Sequence, residues 1–182
     1  MRAALVALAA AAVFGGADQY AGSFATHPVA TDVSLLSAPW LLLAFLAGCT
    51  QRDARRAALL GLGCTFAALA GYALMTLSPL EGAQLTLRTA RGFATSEAPV
   101  LVGGVVTGPL FGLLGSRWRN DRAWSGAVTA AAVLCLEPLA RAAAGREIRF
   151  RSVWVAEVVA GFAVAAYAVV AARVSGARAR RG

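Results

Sequence analysis

The sequence predicts an all-α, polytopic membrane bundle of about six transmembrane helices, and three observations predict it. Of the 182 residues, 59% are hydrophobic and only 14% are charged, where a soluble domain carries about a quarter charged. The apolar residues fall into blocks of about 20, the length at which a helix crosses a bilayer. The polar residues gather between those blocks. One transmembrane domain over residues 1–182 follows, ending in a basic tail at 173–182.

Block one runs from Ala3 to about Phe24 after Arg2. Its charged start imitates a signal peptide, but the apolar blocks that follow make it a retained helix. Block two runs from Val33 to Cys49, with Pro39 near its start. Block three, Ala57 to Ser78, carries the small-residue row Gly63, Ala67, Gly71 and ends before Pro79. The linker from Leu80 to Ser96 is the longest and most polar, and Ala83 to Phe93 within it suits a short interfacial helix. Block four, Glu97 to Gly115, repeats glycine at 104, 108 and 112 on one face, which lets a neighbouring helix approach closely. Pro109 should kink it. Block five runs from Ala123 to Ala144 and block six from Ser152 to Arg173. Ser37-Ala38-Pro39 and Glu97-Ala98-Pro99 echo one another ahead of apolar runs, too short a match to claim a repeat.

All 17 basic residues are arginine, and the formal net charge is +8. With the N-terminus inside, eleven arginines fall on the cytoplasmic side and six outside. The positive-inside rule then places both termini in the cytoplasm of a multi-pass cell-membrane protein. The arginines lie between apolar blocks without interleaved aromatics, so nucleic acid is not an expected partner. Cys49, Cys64 and Cys135 lack CxxC spacing and read as packing residues. No HExxH, GxSxG, phosphate loop or DDxxD run occurs, so neither a metal nor a cofactor is expected; His27 stands alone in a loop.

The chemistry lies in acids placed where lipid should be. An ionisable residue inside a span is costly and marks a functional site by default. Asp18 in block one, Glu137 in block five and Glu157 in block six have apolar residues on both sides, and Glu97 opens block four. The arginine topology puts all four in the outer half. Tyr20, Trp40, Tyr72 and Trp154 fall near that level, as do Phe24 and Phe93. Two bland readings compete: an interfacial aromatic belt with outward-reaching acids, and structural pairing of Glu137 with Arg141 at i, i+4, or of Arg88 or Arg91 with Asp18. The functional reading is an aromatic pocket in the outer half of the bundle. A carboxyl group held protonated there can serve as a general acid, and ring faces can stabilise a developing cation.

The stretches Ser37-Ala38-Pro39-Trp40-Leu41-Leu42-Leu43-Ala44-Phe45-Leu46-Ala47-Gly48 and Gly108-Pro109-Leu110-Phe111-Gly112-Leu113-Leu114-Gly115-Ser116-Arg117-Trp118-Arg119 resemble a family of small bacterial integral membrane proteins of unknown function. By size, topology and an intramembrane acid, the chain also resembles the small membrane-bound terpene cyclases of bacteria. That resemblance implies protonation of a prenyl epoxide or alkene and ring closure through carbocations, by a terpenoid-forming isomerase or lyase. Asp18 is the first candidate acid, with Glu97, Glu137 and Glu157 as alternates or relay partners. Tyr20, Trp40, Tyr72 and Trp154 would line the pocket, and Arg88 and Arg91 would assist binding. The expected partners are a lipophilic prenyl substrate and membrane lipid, with a homo-oligomer left open. A third resemblance is to the substrate-binding subunits of vitamin-uptake transporters, for which Ala3, Ala7 and Ala11 would form a docking face.

Overall fold

A computed structural model describes residues 2–23, 28–121, 124–143, 145 and 150–179. Those residues form eight α-helices, α1 (Arg2–Gly22), α2 (Pro28–Ser34), α3 (Ala38–Cys49), α4 (Ala54–Thr76), α5 (Leu87–Ser96), α6 (Ala98–Asp121), α7 (Trp124–Ala143) and α8 (Arg151–Ala179), with one 3₁₀ turn at Pro79–Glu81. His27, Phe24 and most of the linker after α7 lie outside the described residues. Five helices, α1, α4, α6, α7 and α8, are long and apolar enough to span a bilayer.

The sixth expected span is not one helix. Block two is divided into α2 and α3, with residues 35–37 non-helical between them. At 1.5 Å per residue the 12-residue α3 is about 18 Å long, short of the ~30 Å hydrocarbon core. Local cause is visible in Pro39, which sits in the first turn of α3; it can donate no backbone N–H and disfavours helix immediately before it. The echo of Ser37-Ala38-Pro39 and Glu97-Ala98-Pro99 marks two helix starts, those of α3 and α6.

Other boundaries shift for simple reasons. The linker helix begins at Leu87, because Thr86 and Thr89 form a reciprocal capping box there. Block four continues through Ser116 to Asp121 as helix, and α8 carries helix through most of the expected tail to Ala179. Trp118 packs on the Ala44–Phe45–Phe111 cluster, with its ring centroid 6.5 Å from that of Tyr167.

Packing is inverted relative to a protein in water. The largest fully buried side chains are only Cys64 and Ser116, and the core is rich in alanine. Leu5, Val6, Val102, Val106, Val159 and Phe162 point outward, each more than 60% exposed. Water would drive those residues inside; lipid tails solvate them, and helix association then rests on close contact of small residues. Such contacts are dense here. A Cβ on Gly112 would lie 2.3 Å from the Ala57 carbonyl oxygen, and one on Gly48 would lie 2.0 Å from that of Gly112. Gly104 and Gly108 press on Thr65 of α4, so the row 104–108–112 is a packing face as expected. Ala11 is fully buried beside Leu60, Cys64 and Ala68, with Ala7 against the same cluster. That part of the Ala3–Ala7–Ala11 row therefore packs within the chain. The three cysteines are free thiols.

Candidate functional site

The break between α2 and α3 leaves backbone groups that lipid cannot satisfy, so protein must. Glu137 of α7 supplies the acceptors. Its Oε1 accepts the Ser37 N–H at 2.7 Å and its Oε2 the Ala38 N–H at 2.9 Å. The carboxylate thus sits on the N-terminus of α3, where negative charge complements the helix dipole. Arg141, one turn on, donates to the Leu35 carbonyl and pairs with Glu137 at 3.0 Å. Its guanidinium also covers the Trp154 ring at 5.2 Å. At the far end of α3, Arg119 donates to the Cys49 carbonyl at 2.8 Å. The short helix is therefore held between an anion at its start and a cation at its end.

Fixing α3 in this way sets Trp40, in its first turn, against α1 and α4. The indole N–H of Trp40 donates to Asp18 Oδ2 at 3.3 Å. Phe14, Trp40, Tyr72 and Phe93 form a continuous aromatic run, with centroids 5.5, 6.0 and 6.1 Å apart. Beside that run lies a cavity of about 390 Å³ bordered by Asp18, Trp40, Tyr72 and Glu97. The break contributes Leu35, Leu36 and Ser37 to its wall, and α6 contributes Gly103, Gly104 and Thr107. Its size lies within the range of small-molecule sites, about 300–1,000 Å³. Most of the lining is apolar, with one carboxyl group held by a single donor among the described residues.

The four candidate acids do not meet in one hollow. Asp18 and Glu97 share the cavity. Glu137 and Glu157 lie together on the other side of the break, Glu137 occupied by α3 and Glu157 buried at 5% exposure. Of the four expected aromatic liners, Trp40 and Tyr72 line the cavity. Tyr20 is 44% exposed and Trp154 is buried under Arg141; neither borders it. Arg88 and Arg91 are exposed on α5 and lie outside its wall. The only ion pair among the described residues joins Arg141 to Glu137, so the structural pairing expected for those two is formed and that of Asp18 with Arg88 or Arg91 is not.

Residues 1–181 match a family of unknown function, DUF6518. The chain belongs to that family. No match to it was found among curated proteins or among solved structures. The family membership agrees with the small-membrane-protein resemblance of the sequence and leaves activity to be argued from the site.

Two contributors to the site lay outside the sequence reading. Thr65 and Thr107 line the cavity, although each hydroxyl bonds a carbonyl of its own helix. Outside the cavity, Asp32 is buried on α2, and its Oδ2 accepts the Phe150 N–H just ahead of α8 at 2.8 Å. An acid amid apolar residues was the available signal for Asp32; for the threonines the sequence offered none, since threonine within a span commonly bonds its own backbone.

Proposed function

We propose that this protein is an intramembrane, acid-initiated cyclase of a lipophilic prenyl substrate, placed in the cell membrane with both termini cytoplasmic. One observation carries the reading: Asp18 borders a mainly apolar cavity whose wall also holds Trp40 and Tyr72. In its protonated form Asp18 donates its proton to an epoxide oxygen or to a terminal alkene carbon. With an epoxide the C–O bond breaks, leaving a tertiary carbocation and a hydroxyl. A neighbouring alkene π pair attacks the cation and closes the ring. The Trp40 and Tyr72 faces stabilise the positive charge as it moves. Loss of a C–H proton to the Asp18 carboxylate then forms the product alkene, so the product is an isomer of the substrate and the acid is regenerated. The Trp40 N–H orients the carboxyl group, and Glu97 on the same wall serves as a proton relay. The arginine distribution supports the orientation, and the lipid-facing packing supports membrane residence.

The test is mass spectrometry of lipophilic products from membranes holding the full chain and supplied with prenyl epoxides of graded length. The wild type is expected to form a cyclic isomer, and Asp18→Asn to lose at least about 100-fold of that activity, the contribution of a positioned general acid. Product formation unchanged in Asp18→Asn, or no substrate-dependent product from the wild type, overturns the reading.

A further inference from the structure

The second acid cluster is built differently from the first. Glu157 is 5% exposed, and neither carboxyl oxygen has a hydrogen-bond donor. It borders a separate cavity of about 400 Å³, walled by Leu36, Ala38 and Pro39 from the break and the start of α3, Leu134 from α7, and Val153 and Ala160 from α8. Its electrostatic contact is with Glu137, and Ala38, whose N–H Glu137 holds, borders the same cavity. Two carboxylates are acceptors only, so this contact is repulsive until something positive stands between them. The other charges around it are few. Arg141 on α7 is already paired with Glu137 and bonded to Leu35. Asp32 on α2 holds the Phe150 N–H, and α3 brings no charged residue to the cavity wall. Two buried carboxylates and one guanidinium leave the Glu137–Arg141–Glu157 group one positive charge short. A buried uncompensated charge is strongly destabilising.

We propose that Glu157 and Glu137 together hold one exchangeable monovalent cation, a proton or a sodium ion, between α7 and α8. A proton would complete a carboxylic O–H···O bond between the two side chains. A sodium ion would be bridged by their oxygens, reached through the second cavity. Either occupant acts on the break, because the oxygens of Glu137 also hold the N–H groups of Ser37 and Ala38. Leu36 borders both cavities. Cation occupancy at Glu157 therefore adjusts the wall of the Asp18 cavity without touching its contents. This site stands independently of the cyclase reading.

Full-length protein in lipid nanodiscs tests it by infrared spectroscopy and by thermal unfolding in sodium chloride against choline chloride across a pH series. A protonated pair shows a carboxylic C=O stretch that Glu157→Gln removes and Glu157→Asp moves. A sodium site shows a melting midpoint that rises with sodium, with the response lost in Glu157→Gln. Glu157→Gln itself is expected to melt no lower than the wild type, since its amide can donate to Glu137. Wild type lacking both the carboxylic stretch and the sodium response overturns the proposal, as does a Glu157→Gln protein that retains them. If that variant fails to fold, the shift of the stretch in Glu157→Asp and the sodium response of the wild type decide.

Discussion

Asp18 and Glu137 look alike in the sequence and are held in opposite ways. Both are carboxylic residues on spanning helices, and both belong to the surroundings of the α2–α3 break. Glu137 receives two backbone N–H groups and an arginine. Asp18 receives one indole N–H at 3.3 Å and faces an open cavity. The difference teaches that an intramembrane acid can be spent on architecture or left facing a cavity, and that the number of its donors separates the two. Glu137 builds the wall; Asp18 is presented by it.

That contrast can be broken most directly at Glu137. Replacement by alanine removes both N-terminal acceptors of α3 and strands Arg141, at a cost of about 3–5 kcal/mol. Unfolding of the detergent-solubilised protein measures it, and an unchanged transition would remove Glu137 from its structural role. A smaller loss is expected from Gly112→Ala, whose Cβ meets the Ala57 carbonyl oxygen at 2.3 Å and forces α4 and α6 apart. Overpacking of this kind costs about 1–3 kcal/mol. Gly92→Ala on α5 meets nothing within 4 Å and should be neutral or slightly stabilising, which makes it the control. The smallest destabilisation falls at the Asp18 side. Trp40→Phe deletes one hydrogen bond and should cost about 0.5–1.5 kcal/mol; on the proposed cyclase function it also changes the product profile by releasing the Asp18 carboxyl group. A stability loss at Trp40 as large as that at Glu137 would erase the distinction.

Much of the fold was legible because the relevant forces are local. Block length fixed the five long helices, and proline-led echoes marked where α3 and α6 begin. The glycine row on α6 announced a packing face, although nothing local marks Gly48 and Gly61, its partners on α3 and α4, among so many small residues. The break itself was half legible. Pro39 signalled it, but Leu35 and Leu36 favour helix, and the stabilising acceptor lies 100 residues away from Ser37. The site was legible in type and not in grouping. The acids and aromatics were the right kinds of residue, yet Tyr20, Trp154, Arg88 and Arg91 fall outside the cavity, and Glu137 and Glu157 form a pair of their own.

By itself the sequence determined an all-helical chain of about six apolar blocks of membrane length with acids set among apolar residues, because helix length and apolar period act over neighbouring residues. Only the tertiary structure decided that one span would be broken, which acid would hold the broken ends, and which would face a cavity. Those outcomes depend on unsatisfied backbone groups finding partners from distant helices in a medium without water, and no stretch of sequence contains both members of such a contact.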